Sequence, residues 1–206
     1  IEVESVVVKD DVAVPDEENS AGRRGIAGTV LVHKCAGAKA EQGATLLEVK
    51  AVAEKAIARV RTMGISMSSC TLPGLSKPSF FVAEDEIEIG MGIHGEAGIE
   101  KSPMKNAEGI AEILLMHILH DYDYTGKEVA VLINGLGGTS LMELYVLANE
   151  IHKLFLNKGI KPIKTFVGNY MTSLEMAGCS LSLLELDDEL KECILAPCNT
   201  AGLTIC

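Results

Sequence analysis

The chain has 206 residues, of which 48% are hydrophobic and 23% charged, and its formal net charge is −11. This composition excludes a disordered chain, and the length suffices for one large domain, or a domain and a half, with a hydrophobic core. The acidic charge argues against nucleic acid or an anionic membrane as the partner, because both require basic patches. No apolar run is long enough to span a bilayer.

The six cysteines indicate a reducing compartment. None forms a Cys-x-x-Cys pair and several stand in apolar surroundings, so we expect buried free thiols and a cytoplasmic protein. The acidic first residues lack the basic region of a signal peptide. No metal site is expected, because the cysteine spacing does not fit zinc and His117-x-x-His120-Asp121 is more typical of a polar helix end.

The first 64 residues predict one strand and two helices. Ser5–Val8 is a short apolar run typical of a buried strand, which needs neighbouring strands. We therefore interpret residues 1–18 as the tail of an upstream α/β domain that this sequence lacks. Periodicity predicts helices over Ile26–Ala40 and Thr45–Met63, the second ended by Gly64. The many alanines of the two helices favour an αα-hairpin or a crossed helix pair.

Two adjacent arginines, Arg23 and Arg24, precede the first predicted helix. Guanidinium groups near a helix start can hold a phosphate or a carboxylate. An ordinary capping or ion-pair site is the alternative, and the sequence does not decide between them.

The middle of the chain predicts three strands. Alternating apolar residues indicate a strand over Ile65–Thr71, and Phe80–Val82 is expected to form a hairpin with Glu86–Met91.

The last of these strands runs into a glycine-rich loop that carries a histidine. Gly92, Gly95 and Gly98 are spaced three apart, with His94 and Glu96 between them. Such glycines allow positive φ angles and a close approach to a ligand, so His94 is a candidate for a presented functional group. The alternative is a glycine-rich turn whose histidine bonds only to the backbone.

The second half alternates helices and strands, which predicts an α/β layer with a partly parallel sheet. The predicted elements, in chain order, are helix Ala107–His120, strand Lys127–Asn134, helix Leu141–Asn157, strand Ile163–Gly168, a helix or turn at Met171–Ala177, strand Cys179–Leu186 and helix Asp187–Cys193. The glycine-rich turn 135–140 stands before a helix and is a weak signal for a bound anion. A tight turn without a ligand is the alternative.

The ordered set of short motifs resembles the dihydroxyacetone kinase family, and more narrowly its substrate-binding K subunit, over nearly the whole chain. The motifs are Asp10–Val14, Ala21–Gly25, Cys70–Pro73, Gly90–Ile99, and Asn134–Gly137 with Glu143–Tyr145. The resemblance implies an α/β fold with a layered mixed sheet and flanking helices. Residues 19–206 would be the C-terminal domain of a two-domain K subunit, carrying the substrate-linking histidine loop.

The resemblance also implies roles for residues of the loop. His94 would form a covalent hemiaminal with the carbonyl carbon of dihydroxyacetone, and Gly92, Gly95 and Glu96 would contact the substrate. The family's general-base carboxylate, its second histidine and a substrate-binding glycine-rich segment lie upstream and have no counterpart in residues 1–206. We therefore expect this chain alone to be inactive. Ala97 replaces a usual proline, which predicts a looser loop.

The implied function is that of a phosphotransferase subunit in glycerol metabolism. Dihydroxyacetone would be phosphorylated by a separate L-type subunit that carries ADP and Mg²⁺. That subunit would be recharged by an M-type phosphoryl carrier of a phosphotransferase system, with phosphoenolpyruvate as ultimate donor. This chain would hold no cofactor and no metal, and would form a homodimer. One alternative is a paralogue that senses dihydroxyacetone and co-activates a transcription regulator; another is an interaction domain without a ligand.

Overall fold

The computed structural model describes residues 1–14, 22–78, 80–93 and 98–205. Six strands form one mixed sheet in the order β3-β2-β1-β6-β4-β5, and a two-stranded hairpin, β7-β8, follows near the end of the described chain. The elements are α1 Thr29–Glu41, α2 Leu46–Arg59, β1 Val60–Ser66, β2 Glu86–Ile89, β3 Glu100–Pro103, α3 Ala107–Asp121, β4 Glu128–Gly135, α4 Leu141–Lys158, β5 Lys161–Gly168, β6 Gly178–Glu185, α5 Asp188–Leu195, β7 Cys198–Asn199 and β8 Thr204–Ile205.

Helices cover both faces of the sheet, which confirms the predicted layered α/β class. Strands β4 and β5 pair in parallel, while the pairs β3-β2, β2-β1, β1-β6 and β6-β4 are antiparallel. Alternate side chains of the central strands point to opposite faces. One face packs against α3 and α4 around residues such as Ile65, Ile133 and Leu181. The other packs against α1, α2 and α5 around Val60, Leu132 and Leu184.

The predicted helix over Thr45–Met63 is too long. Helix α2 ends at Arg59, and Val60 already has the extended angles φ −98° and ψ 138°. From Val60 onward the chain pairs with β6 residue by residue, from Val60 opposite Leu184 to Ser66 opposite Gly178. Pairing with a strand more than a hundred residues away overrides the local helical periodicity. Gly64 therefore lies inside β1 and does not end a helix.

Three predicted strands are also wrong. The strand predicted over Ile65–Thr71 is displaced, because β1 covers Val60–Ser66 and residues 67–71 are not in a strand. Phe80–Val82 forms no strand, and β2 pairs instead with β1 and with β3, which follows the histidine loop. Ser5–Val8 is not a strand either, because within the described residues it has no hydrogen-bonded neighbour. The contact with the sheet comes later, where Asp11 forms a parallel bridge with Thr62. Met171–Ala177 forms turns, and α1 begins at Thr29.

The second half follows the sequence prediction closely, with the ends of α3, β4, α4, β5, β6 and α5 shifted by no more than two residues. The cysteines of the described part of the chain also follow the prediction: Cys35, Cys179 and Cys193 are buried free thiols, and Cys70 is buried as well. Burial raises the pKa of the Cys35 and Cys179 thiols to about 12, which keeps them protonated and unreactive. No helix in the described ranges is long and apolar enough to cross a membrane.

Candidate functional site

The predicted site is the loop that joins β2 to β3. His94, Gly95, Glu96 and Ala97 lie outside the described residues, whereas Gly92 and both ends of the loop are described. The base of the loop consists of Gly90, where the chain leaves β2, and of Gly98 and Ile99, where it returns.

At the entry of the loop the backbone turns sharply at Gly90, whose φ is +78°. The Gly90 N–H donates to the carbonyl of Gly64 in β1 at 2.7 Å, which keeps this residue attached to the sheet. A Cβ at Gly90 would lie 2.7 Å from the Ala13 Cβ. Both the positive φ and the tight contact require glycine at this position.

At the exit, two hydrogen bonds close the loop. The Ile99 N–H donates to the carbonyl of Ile89 at 2.8 Å, and the Gly98 N–H donates to the Glu88 carboxylate at 2.8 Å. A Cβ at Gly98 would overlap the Ile89 carbonyl oxygen, so glycine is required for this close approach. The base of the loop is therefore narrow and fixed on both strands.

Arg24 adds a further contact to the loop base. Its Nε donates to the Asp11 Oδ2 at 2.7 Å, and its Nη2 donates to the Gly90 carbonyl at 3.0 Å. Burial raises the pKa of Asp11, although the Arg24 charge acts in the opposite direction. The neighbouring Arg23 instead pairs with Asp121, which also pairs with Arg61. Both arginines thus bind carboxylates of this chain, as the ion-pair alternative predicts.

The first residues of the loop pack against the turn that follows β4. Met91 is buried with Cys70, Leu136 and Met176, and Phe80 and Ile93 pack against this cluster. Gly92 is buried as well. The loop and the glycine-rich turn 135–140 therefore meet at the same end of the sheet.

The glycine-rich turn itself fits the alternative of a tight turn without a ligand. The Gly138 N–H donates to the Met176 carbonyl at 2.8 Å. Ser140 and Glu143 form a capping box at the start of α4, in which the Glu143 carboxylate accepts the Ser140 N–H at 3.0 Å. A carboxylate of the chain itself thus occupies the helix start that an anion would need.

The polar end of α3 fits the helix-end interpretation. Hydrogen bonding from Arg23 lowers the pKa of Asp121, which holds this carboxylate in its ion pairs. Burial lowers the pKa of His117. Across the described residues, no group of three or more His, Cys, Asp or Glu side chains could hold a metal ion.

Two buried carboxylates were not predicted from the sequence. Glu88 occupies a polar position of the alternating strand, yet it is only 8% exposed because Gly98 folds back onto it. Asp10 is fully buried and accepts the Ile26 and Gly28 N–H groups, each at 2.8 Å. Only the three-dimensional return of the chain creates these contacts, so no local pattern signals them.

Comparison with known proteins agrees with the motif resemblance. The chain matches the Dak1 domain family over residues 1–202. It is 51% identical over 190 residues to the PTS-dependent dihydroxyacetone kinase 1, dihydroxyacetone-binding subunit DhaK, of Listeria innocua, covering 92% of this chain and 58% of that protein. The chain therefore spans less than two thirds of the length of this relative.

Two solved structures share the fold over nearly all of the chain. The dihydroxyacetone kinase operon co-activator Dha-DhaQ has a TM-score of 0.86 at 33% identity, covering 93% of this chain and 60% of that one. The dihydroxyacetone kinase of C. freundii has a TM-score of 0.85 at 31% identity, covering 99% of this chain and 37% of that one. On the match over residues 1–202 and these similarities, the chain belongs to the Dak1 domain family.

Proposed function

We propose that this chain is the ketone-holding, C-terminal domain of a dihydroxyacetone kinase K-type subunit, with residues 1–18 as the tail of the preceding domain. The observation that carries the proposal is the closed base of the loop at Gly90, Gly98 and Glu88, which fixes both ends of the segment containing His94. The 51% identity to a subunit named as dihydroxyacetone-binding supports the choice of ketone.

The proposed chemistry is a reversible addition. A neutral imidazole nitrogen of His94 attacks the carbonyl carbon of dihydroxyacetone, and the electron pair of the C=O double bond moves to oxygen. The oxygen gains a proton and the imidazole loses its N–H proton, so the hemiaminal forms without loss of water. Because glycerol has no carbonyl group, it cannot form this bond. In this proposal Gly92, Gly95 and Glu96 contact the bound substrate.

Phosphoryl transfer would then take place on a terminal hydroxyl of the held ketone. The general-base carboxylate would come from the upstream part of the protein, which makes this chain inactive alone. ADP and Mg²⁺ would lie on a separate L-type subunit, itself recharged by an M-type phosphoryl carrier with phosphoenolpyruvate as ultimate donor. This assembly would work in the cytoplasm, in glycerol metabolism, with this subunit as a homodimer that holds no nucleotide or metal.

A second candidate function is that of a co-activator that senses dihydroxyacetone without phosphorylating it. The similarity to the Dha-DhaQ co-activator, with a TM-score of 0.86, favours it. The two functions differ in one observable. A kinase subunit turns over dihydroxyacetone when L-type and M-type partners and phosphoenolpyruvate are added, whereas a sensor binds the ketone and gives no phosphorylated product.

The test is the variant His94→Ala in the full-length protein. We expect loss of dihydroxyacetone binding with an unchanged unfolding transition, because the glycines of the loop base set its backbone. His33→Ala is the matched control, since His33 is exposed on α1. Unchanged ketone binding in His94→Ala would contradict the proposal.

A further inference from the structure

We infer that Arg24 is a positioning residue for the ketone-binding loop, acting by joining Asp11 to the carbonyl of Gly90. The inference rests on the proposed function, because it is the His94 adduct that would be positioned. The sequence left two interpretations of Arg24 open, an anion site and an ordinary ion pair, and this inference gives the residue a role.

The chain segment around Asp11, on one side of the Arg24 guanidinium group, is held in place by several hydrogen bonds. Asp11 is only 1% exposed, and its Oδ1 accepts the Ala13 N–H at 2.9 Å. Its backbone N–H donates to the Arg24 carbonyl at 3.2 Å, and the next N–H, that of Val12, donates to Thr62 in β1 at 3.0 Å. Arg24 is thus tied to this segment through both its backbone and its side chain, and the segment is tied to the central sheet.

The second group that Arg24 contacts is the carbonyl of Gly90, where the loop begins. The Arg24 Nη2 lies 2.6 Å from the Asp11 Oδ2 and donates to the Gly90 carbonyl at 3.0 Å. Gly90 has a φ of +78°, and because a glycine has no Cβ, sterics alone leave its backbone several other conformations. A charged donor on its carbonyl fixes the orientation of the peptide between Gly90 and Met91. It therefore fixes the direction in which the chain leaves β2 towards His94.

This arrangement requires the shape of arginine as well as its charge. A guanidinium group is planar and can donate to two acceptors in fixed directions at once. A lysine ammonium at position 24 would keep the attraction to Asp11, but it would not hold both Asp11 and Gly90 in this geometry. Substitution by lysine therefore separates the ion pair from the positioning contact.

The neighbouring arginine offers a matched control. Arg23 pairs with Asp121 in another partly buried ion pair, with side-chain exposures of 12% and 18%, against 22% and 1% for Arg24 and Asp11. The Arg23 Nη1 donates to the Asp121 Oδ2 at 3.0 Å, at the end of α3. Changes at position 23 thus test the general effect of weakening a partly buried ion pair at the residue that precedes Arg24.

The experiment uses the full-length protein and dihydroxyacetone labelled with ¹³C at the carbonyl carbon. Formation of the hemiaminal converts that carbon from trigonal to tetrahedral, so its NMR shift reports the bound fraction directly. We expect Arg24→Lys to weaken adduct formation about tenfold or more, while its urea unfolding midpoint stays near that of the wild type. Arg23→Lys should leave the adduct equilibrium within about twofold of the wild type.

Asp11→Asn is the second variant, since it keeps an acceptor for the Ala13 N–H while weakening the attraction to Arg24. It should also weaken the adduct. Equal adduct formation in Arg24→Lys and the wild type would overturn the inference, as would an equal loss in Arg23→Lys. If the wild type forms no adduct at all, the proposed function fails together with this inference. If Arg24→Lys forms the adduct as the wild type does while His94→Ala forms none, the proposed function stands and the positioning role fails.

Discussion

Substitution of Gly98 by alanine tests the closed loop base most sharply. A Cβ at this position would overlap the Ile89 carbonyl oxygen and lie 2.8 Å from the Glu88 Cγ. The Ile89 carbonyl accepts the Ile99 N–H, so the displacement also breaks a hydrogen bond. Overpacking of this kind costs about 1–3 kcal/mol, and the lost bond adds about 0.5–1.5 kcal/mol. We expect a total destabilisation of about 2–4 kcal/mol if the loop stays closed.

The loop can release this strain by opening at its base, and then the cost appears as weaker ketone binding. About 2 kcal/mol of strain corresponds to a roughly 30-fold weaker adduct equilibrium. The assay combines urea unfolding with titration of labelled dihydroxyacetone. Gly37→Ala in α1 is the control, because a Cβ there meets no atom within 4 Å and should stabilise the helix by about 0.5–1 kcal/mol. A Gly98→Ala protein with wild-type stability and wild-type binding would refute the reasoning.

Three further predictions address charge and capping. Glu88→Ala should lower the free energy of unfolding by about 1.5–3 kcal/mol in urea denaturation, because the Gly98 N–H loses a charged acceptor. Glu88→Gln keeps an acceptor for this N–H and should recover most of the lost free energy. Equal losses in the two variants would exclude the hydrogen bond as the cause. Asp121 has a pKa lowered from 3.8 by its hydrogen bond from Arg23, so its stabilisation is present above pH 3.8 and is lost as the pH falls through the lower, folded-state pKa. The Asp121→Asn variant should therefore be about 1–2 kcal/mol less stable than the wild type at pH 7. In unfolding curves below pH 3.8 this difference in stability should shrink. A difference that does not change with pH would contradict the prediction. Ser140→Ala should cost about 1 kcal/mol of unfolding free energy by removing the cap of α4, and no change in the thermal midpoint would argue against the capping box.

The sequence predicted the elements whose signals are local. Helix α4 carries its own start and stop, with a capping box at Ser140 and a left-handed Gly159 after its last residue. Strand β4 is a continuous apolar run that is buried on both faces. Such segments specify their own structure, so the second half of the chain was predicted almost completely.

The errors concern segments whose structure depends on distant partners. Val60–Met63 continues the helical periodicity of α2, but pairing with β6 makes it the start of β1. Phe80–Val82 has the composition of a strand, yet β1 and β3 already occupy both sheet positions beside β2, its predicted hairpin partner.

The same distinction applies to the candidate site. The close approach predicted for the loop glycines is confirmed at Gly98, whereas the positive φ lies at Gly90, which the alternating pattern had placed inside the strand. The burial of Glu88 and the contact of Arg24 with Gly90 were not predicted, since both arise only when the loop folds back and the segment around Asp11 joins the sheet.

The central claim is that His94 carries the ketone, and intact-protein mass spectrometry with peptide mapping tests it most directly. The full-length protein and residues 1–206 alone are each incubated with dihydroxyacetone and measured under conditions that preserve the adduct. We expect the full-length protein to gain the mass of one whole dihydroxyacetone, without loss of water, on the peptide that contains His94. An adduct on another residue, or no adduct on either protein, would contradict the account and favour an interaction domain without a ligand.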